Sequence, residues 1–165
     1  MLETFESKFS QDEWQTIRTG PASAGTLVMA SSPSGLTGLL AETQAIALAL
    51  RDLGLTSKSA FVRELLHPSQ APNAAPSQPF KSLEDARESL LNRVRQAAFL
   101  VDSRIAPDDA LEYKQLIISV AERTAAAALE GGFFGLGGVQ VSDAERTVLE
   151  ELRVQLRLQD AAGAL

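Results

Sequence analysis

Glu64 and His67 stand three residues apart just before Pro68. This is the spacing at which di-iron carboxylate bundles set a carboxylate and an imidazole on one side of a helix. Such a centre needs a second pair on a facing helix, and this chain has 1 histidine. The pair therefore reads as a helix C-terminus carrying a favourable partial charge, and no metal site is expected from it. Nucleophilic chemistry lacks parts as well. The chain has 0 cysteines, a Ser-His-Asp triad would have to use His67, and no Gly-x-Ser-x-Gly elbow occurs. Ser31, Ser32 and Ser34 read as turn formers that bond their own backbone. Gly135, Gly137 and Gly138 fit neither a dinucleotide fingerprint nor a P-loop, because no lysine follows them. Amides there could hold an anion at the start of the last helix, but Asp143 and Glu145 in its first turn would repel one.

The elements that would position these groups are helical. Ser10 with Glu13 and Ser142 with Glu145 are capping boxes, each opening a helix with an apolar side. Gly20 and Pro21 should break or kink the first helix, with Pro21 at the first turn of a renewed one. Ala22, Ser23, Ala24 and Gly25 are small enough to admit a close neighbour. A turn cluster, Ser31 to Gly35, precedes a helix from Leu39 to Leu53, with Gly54 at its C′ position and Leu55 folding back. Ser57 should cap a shorter helix holding Phe61, Leu65 and Leu66, which stops before Pro68.

Residues 68–79 hold four prolines and no charge, which reads as an extended linker joining two helical halves of one domain, 1–165. Beyond it Ser82 opens a helix whose stripe is Leu83, Leu90, Val94, Ala97, Val101 and Ile105. Pro107 opens another, apolar nearly all round from Leu111 to Leu129, which belongs at the centre of the fold. The last helix turns Leu149, Leu152 and Leu156 inward and leaves Val154 and Leu158 as apolar overflow. The fold class is all-α, a bundle of about six helices. Two helix–Gly loop–helix hairpins form a pseudo-repeat: Glu13 and Trp14 match Glu112 and Tyr113, and Gly35 and Gly38 match Gly132 and Gly135.

The stretch from Gly131 to Glu145 carries Phe133, Phe134 and Leu136 among its glycines, apolar surface expected to fold onto the core or to contact a partner. Glu122 and Arg123 interrupt the apolar helix and read as a seam or a wet edge; the sharper expectation is a buried Glu122 paired with Arg93 or Arg95.

Val120, Ala121, the alanines 125 to 128, Gly131, Gly132, Val141, Ser142, Glu145, Leu149 and Leu152 together resemble the paired hairpins of TerB-like domains, the tellurite-resistance group. The resemblance implies an all-α bundle and a bacterial, stress-related setting. Family members typically carry an Asp-Gly pair in this loop and use its acids for metal. Here Glu130-Gly131 and Ser34-Gly35 stand there instead, and the metal role is not carried over.

Composition bounds the partners. Net charge is −6, with acids and bases spread along the 165 residues and no basic block for a phosphate backbone, so nucleic acid is not an expected partner. No stretch reaches the ~20 apolar residues of a membrane span. The absence of cysteine suits a reducing cytoplasm. Residues 1–10 do not read as a signal peptide. The sequence therefore points to a cytoplasmic, non-enzymatic helical protein without cofactor or metal, acting through protein contacts as a homodimer. The expected contact residues are Phe133, Phe134 and Leu136. The rival is a metal- or small-ligand-binding bundle in which Glu42, Glu122 and Glu145 converge on a pocket.

Overall fold

The computed structural model describes residues 3–31, 36–68, 81–131 and 142–158, with backbone alone at 36–41 and 128–131. Among these residues there are six α-helices and no strand: α1 (Gln11–Ser31), α2 (Leu36–Thr56), α3 (Ala60–Leu65), α4 (Leu83–Arg104), α5 (Pro107–Gly131) and α6 (Asp143–Gln155). A 3₁₀ turn, Glu6–Lys8, precedes α1. The expected all-α bundle is what is found.

α1 and α5 form the inner pair. α4 packs chiefly on α1, α2 chiefly on α5, α6 lies against α1 and α5, and α3 against α5 and α2. Interior side chains fix the directions. Tyr113 reaches Ile17, and Gly25 faces Thr124, so α1 and α5 run the same way. Gly25 also faces Ile46, and Ser57 bonds Glu112, so α2 runs against both. The C-terminal ends of α1 and α5 and the start of α2, which border the two glycine-containing segments, thus share one end of the bundle. The segments themselves, with Phe133, Phe134 and Leu136, and linker residues 69–79, lie outside the described residues.

Two capping boxes are present as expected. At α1 the Ser10 amide donates to Glu13 Oε2 at 2.8 Å, and the Glu13 amide donates to Ser10 Oγ at 3.2 Å. At α6 the Ser142 amide donates to Glu145 Oε2 at 3.1 Å, and the Glu145 amide to Ser142 Oγ at 3.2 Å.

Gly20 and Pro21 do not break α1, which is a single helix from Gln11 to Ser31. A proline in a helix interior has no N–H for the carbonyl four residues back, here that of Ile17, and the lost bond is what makes it a breaker. The Tyr113 hydroxyl donates to the Ile17 carbonyl at 2.7 Å and supplies the missing partner from another helix. Gly20 makes the approach possible. A Cβ on it would lie 2.5 Å from the Tyr113 oxygen and 2.9 Å from Ala97 Cβ. Burial raises the Tyr113 pKa well above its ordinary 10.0, so the phenol remains a donor.

Three further expectations are corrected. Gly54 lies inside α2, which continues to Thr56, and its missing side chain admits Leu66, whose Cβ would be 2.9 Å from a Cβ there. Leu55 consequently points out, 72% exposed. Ser59, not Ser57, is the N-cap of α3; its hydroxyl accepts from the Val62 amide, and Ser57 instead donates to Glu112. Leu83 leaves the buried stripe of α4 and is 63% exposed. In the antiparallel register set by Glu13 with Arg104 and Gly20 with Ala97, Leu83 lies past Ser31, where α1 ends.

The core closes around Phe61. Its ring meets those of Phe5, Trp14 and Tyr113 edge-on at centroid distances of 5.4, 6.2 and 5.8 Å. Trp14 of α1 and Tyr113 of α5 thus share one aromatic neighbour.

Candidate functional site: the groove between α1 and α4

Arg104, in the last turn of α4, bonds Glu13 with both arms, Nη1 to Oε2 at 2.7 Å and Nη2 to Oε1 at 2.9 Å, and also reaches the Lys8 carbonyl at 3.1 Å. Further along, Arg93 donates to the Thr19 hydroxyl at 3.3 Å. These bonds lock α1 to α4 along one side. Beside them lies a groove of about 340 Å³ between the two helices, lined by Asp12, Glu13, Thr16, Gln96, Phe99 and Leu100.

Phe99 is 71% exposed, the bulkiest exposed apolar side chain among the described residues. It lies between Arg95, one turn before it, and Asp102, one turn after, spacings that set all three on one helix face. Asp102 is held by Lys114 of α5 at 2.9 Å. Arg95 makes a 3.4 Å bond to Asn92 of its own helix. Sequence reasoning passed over Phe99 because the periodic stripe ran through Val94, Ala97 and Val101. The available signal was an aromatic residue set off that stripe among Arg95, Gln96 and Asp102.

Of the carboxylates singled out from the sequence, two are buried and one is exposed. Glu42 is fully buried on α2, while Glu145 is 2% exposed and committed to the cap of α6. Glu122 is exposed and paired with Arg153 of α6, not buried against Arg93 or Arg95. Its neighbour Arg123 meets Asp52 of α2 at 3.5 Å. Among the described residues no group of three His, Cys, Asp or Glu side chains is placed to hold a metal ion. Glu64 accepts from the Glu6 amide at 3.0 Å, which ties α3 to the turn before α1. Val154 is 49% exposed as anticipated, whereas Leu158 packs partly against the core.

A second hollow, of about 290 Å³, opens between α2, α3 and α5 around Leu53, Ser57, Lys58, Val62 and Glu112. Two serines beside it are engaged in local structure. Ser59, at its edge, donates to Asp109 at 2.6 Å while capping α3, and Ser57 donates to Glu112 at 3.2 Å.

The pairing at Glu13 sets a pH dependence. The Arg104 hydrogen bonds, followed by the Ser10 amide, hold the Glu13 carboxyl down at about 2 from its ordinary 4.5. A carboxyl with a depressed folded-state pKa contributes its stability in full above the unfolded value and loses it as pH falls through the folded one. Glu13→Gln keeps the capping geometry and removes the charge. It should lower the melting temperature near neutrality, and the difference from wild type should shrink between 4.5 and about 2. Parallel melting curves across that window would refute the assignment.

No protein-family model, curated protein or solved structure matches the chain, so the functional reading rests on its own residues. No helix among the described residues is long and apolar enough to cross a membrane.

Proposed function

We propose that this chain is a non-enzymatic helical protein of the bacterial cytoplasm that acts through protein contacts as a homodimer, in a stress-related setting like that of the TerB-like domains it resembles. The observation that carries the reading is Phe99, a large aromatic ring displayed at 71% exposure on a rigid helix beside an open groove. Large exposed aromatics with polar flanks are the usual anchors of protein interfaces. The polar clusters fit a structural role. Ser10, Ser59, Ser142, Glu13 and Glu145 cap helices, and Asp109 and Glu112 hold the serines at the start of α3.

Sedimentation over a wide concentration range tests this. The expected result is a reversible shift to twice the mass of the chain, with a melting temperature that rises with concentration. A monomer at every concentration overturns it. A second reading, a ligand- or metal-binding bundle, draws on Glu42, a fully buried carboxylate on α2. It requires the melting temperature to rise when a divalent metal ion is added, and no such rise would retire it.

A further inference from the structure

We infer that the face of α4 centred on Phe99 is where a second copy of this chain docks, the two α4 helices crossing antiparallel about a two-fold axis beside the paired phenylalanine rings. This rests on the homodimer reading above and specifies where its axis lies.

A two-fold interface is self-complementary: whatever lies on one side of the axis must match what lies on the other. The exposed face of α4 has that property. Arg95 and Asp102 carry opposite charges at nearly equal distances on either side of Phe99. Antiparallel crossing at Phe99 therefore brings each Arg95 to the Asp102 of the other copy, and the pair forms twice. Parallel crossing would set Arg95 against Arg95 and Asp102 against Asp102, so the charges select one orientation. Arg95 is available for this, since its described bond is a long one to Asn92 within the same helix. Lys114 reaches both oxygens of Asp102, at 2.9 and 3.2 Å, and the carboxylate, 46% exposed, keeps further lone pairs toward solvent.

Shape agrees with charge. The groove beside Phe99 has Thr16, Gln96 and Leu100 along its length, and it can receive the ring of the other copy as that copy's groove receives this one. The acidic rim is partly neutralised, because Glu13 is already bonded to Arg104. Phe99 is also the bulkiest of the exposed apolar side chains among the described residues, the others being Leu48 and Leu55 on α2, Leu83 on α4, Leu111 on α5 and Val154 on α6.

The absence of cysteines permits a clean test. Phe99→Cys should give a disulfide-linked dimer under mild oxidation, because residues at a two-fold axis meet their own copies. Leu55→Cys and Val154→Cys should stay monomeric under the same treatment. In sedimentation, Phe99→Glu should weaken association by about 30-fold or more. Arg95→Glu and Asp102→Arg should each weaken it by about tenfold, and the double variant should recover most of the loss. Circular dichroism of each variant checks that the helices are intact, which the exposure of these side chains leads one to expect. A dimer that cross-links through Leu55→Cys or Val154→Cys but not Phe99→Cys overturns this interface and leaves the homodimer standing. A double charge variant as weak as the singles also overturns it. A wild-type monomer removes the homodimer reading itself.

Discussion

Gly20→Ala should destabilise the protein by about 2–4 kcal/mol, against the gain of about 1 kcal/mol that alanine normally brings to a helix interior. Two costs outweigh the gain. The new methyl would lie 2.5 Å from the Tyr113 oxygen and 2.9 Å from Ala97 Cβ, so α5 or α4 must shift in a packed interior. If the phenol moves, the Ile17 carbonyl loses the partner that Pro21 already denies it from within the helix. Urea titration of the single variants and of Gly20→Ala with Tyr113→Phe separates the two. Removing the hydroxyl relieves the clash, so the double variant should be clearly more stable than the sum of the singles predicts. Strict additivity would mean that Tyr113 does not bridge the break at Pro21.

Phe61→Ala is the second large effect, expected at about 3–5 kcal/mol, a large share of the ~5–15 kcal/mol that holds a domain of this kind together. Phe61 is fully buried in a six-residue helix and contacts rings from the N-terminal turn, α1 and α5. Truncation removes the apolar burial and three edge-on ring contacts, and the cavity is walled by helices that cannot simply collapse. Trp14 is the only tryptophan, and its indole lies 6.2 Å from the Phe61 ring, so its fluorescence reports this site directly. A loss below about 1 kcal/mol would show that the surroundings close over the space, or that Phe61 does not centre the core.

How far the fold was legible follows from the range over which each signal acts. The capping boxes at Ser10 and Ser142 and the start of α5 at Pro107 are set by groups within one turn, and they appear where the sequence pattern puts them. The position of α5 among the other helices follows from its nearly continuous apolar surface. Pro21 misled because its remedy is the Tyr113 hydroxyl, 96 positions from the Ile17 carbonyl it serves, a separation at which local rules are silent. Gly54 has the chemistry of a helix stop and of a close-packing site, and only the presence of Leu66 decides between them. The groove was harder still. Periodicity finds the residues that go inside, whereas Phe99 matters because it stays outside.

The arrangement of the inner helices also bears on how the chain comes into being. α1 precedes the helices it most needs: its bonds to Arg104 and Tyr113 span 91 and 96 positions. Contacts this distant make an all-helical protein fold more slowly than its secondary structure suggests, since a long loop must close before they give any return. A nascent chain that has delivered only α1 to α3 holds Trp14, Ile17 and Phe61 with no α4 or α5 to cover them. That intermediate is sticky, and it is the species a ribosome-associated chaperone would be called on to shelter until α5 emerges.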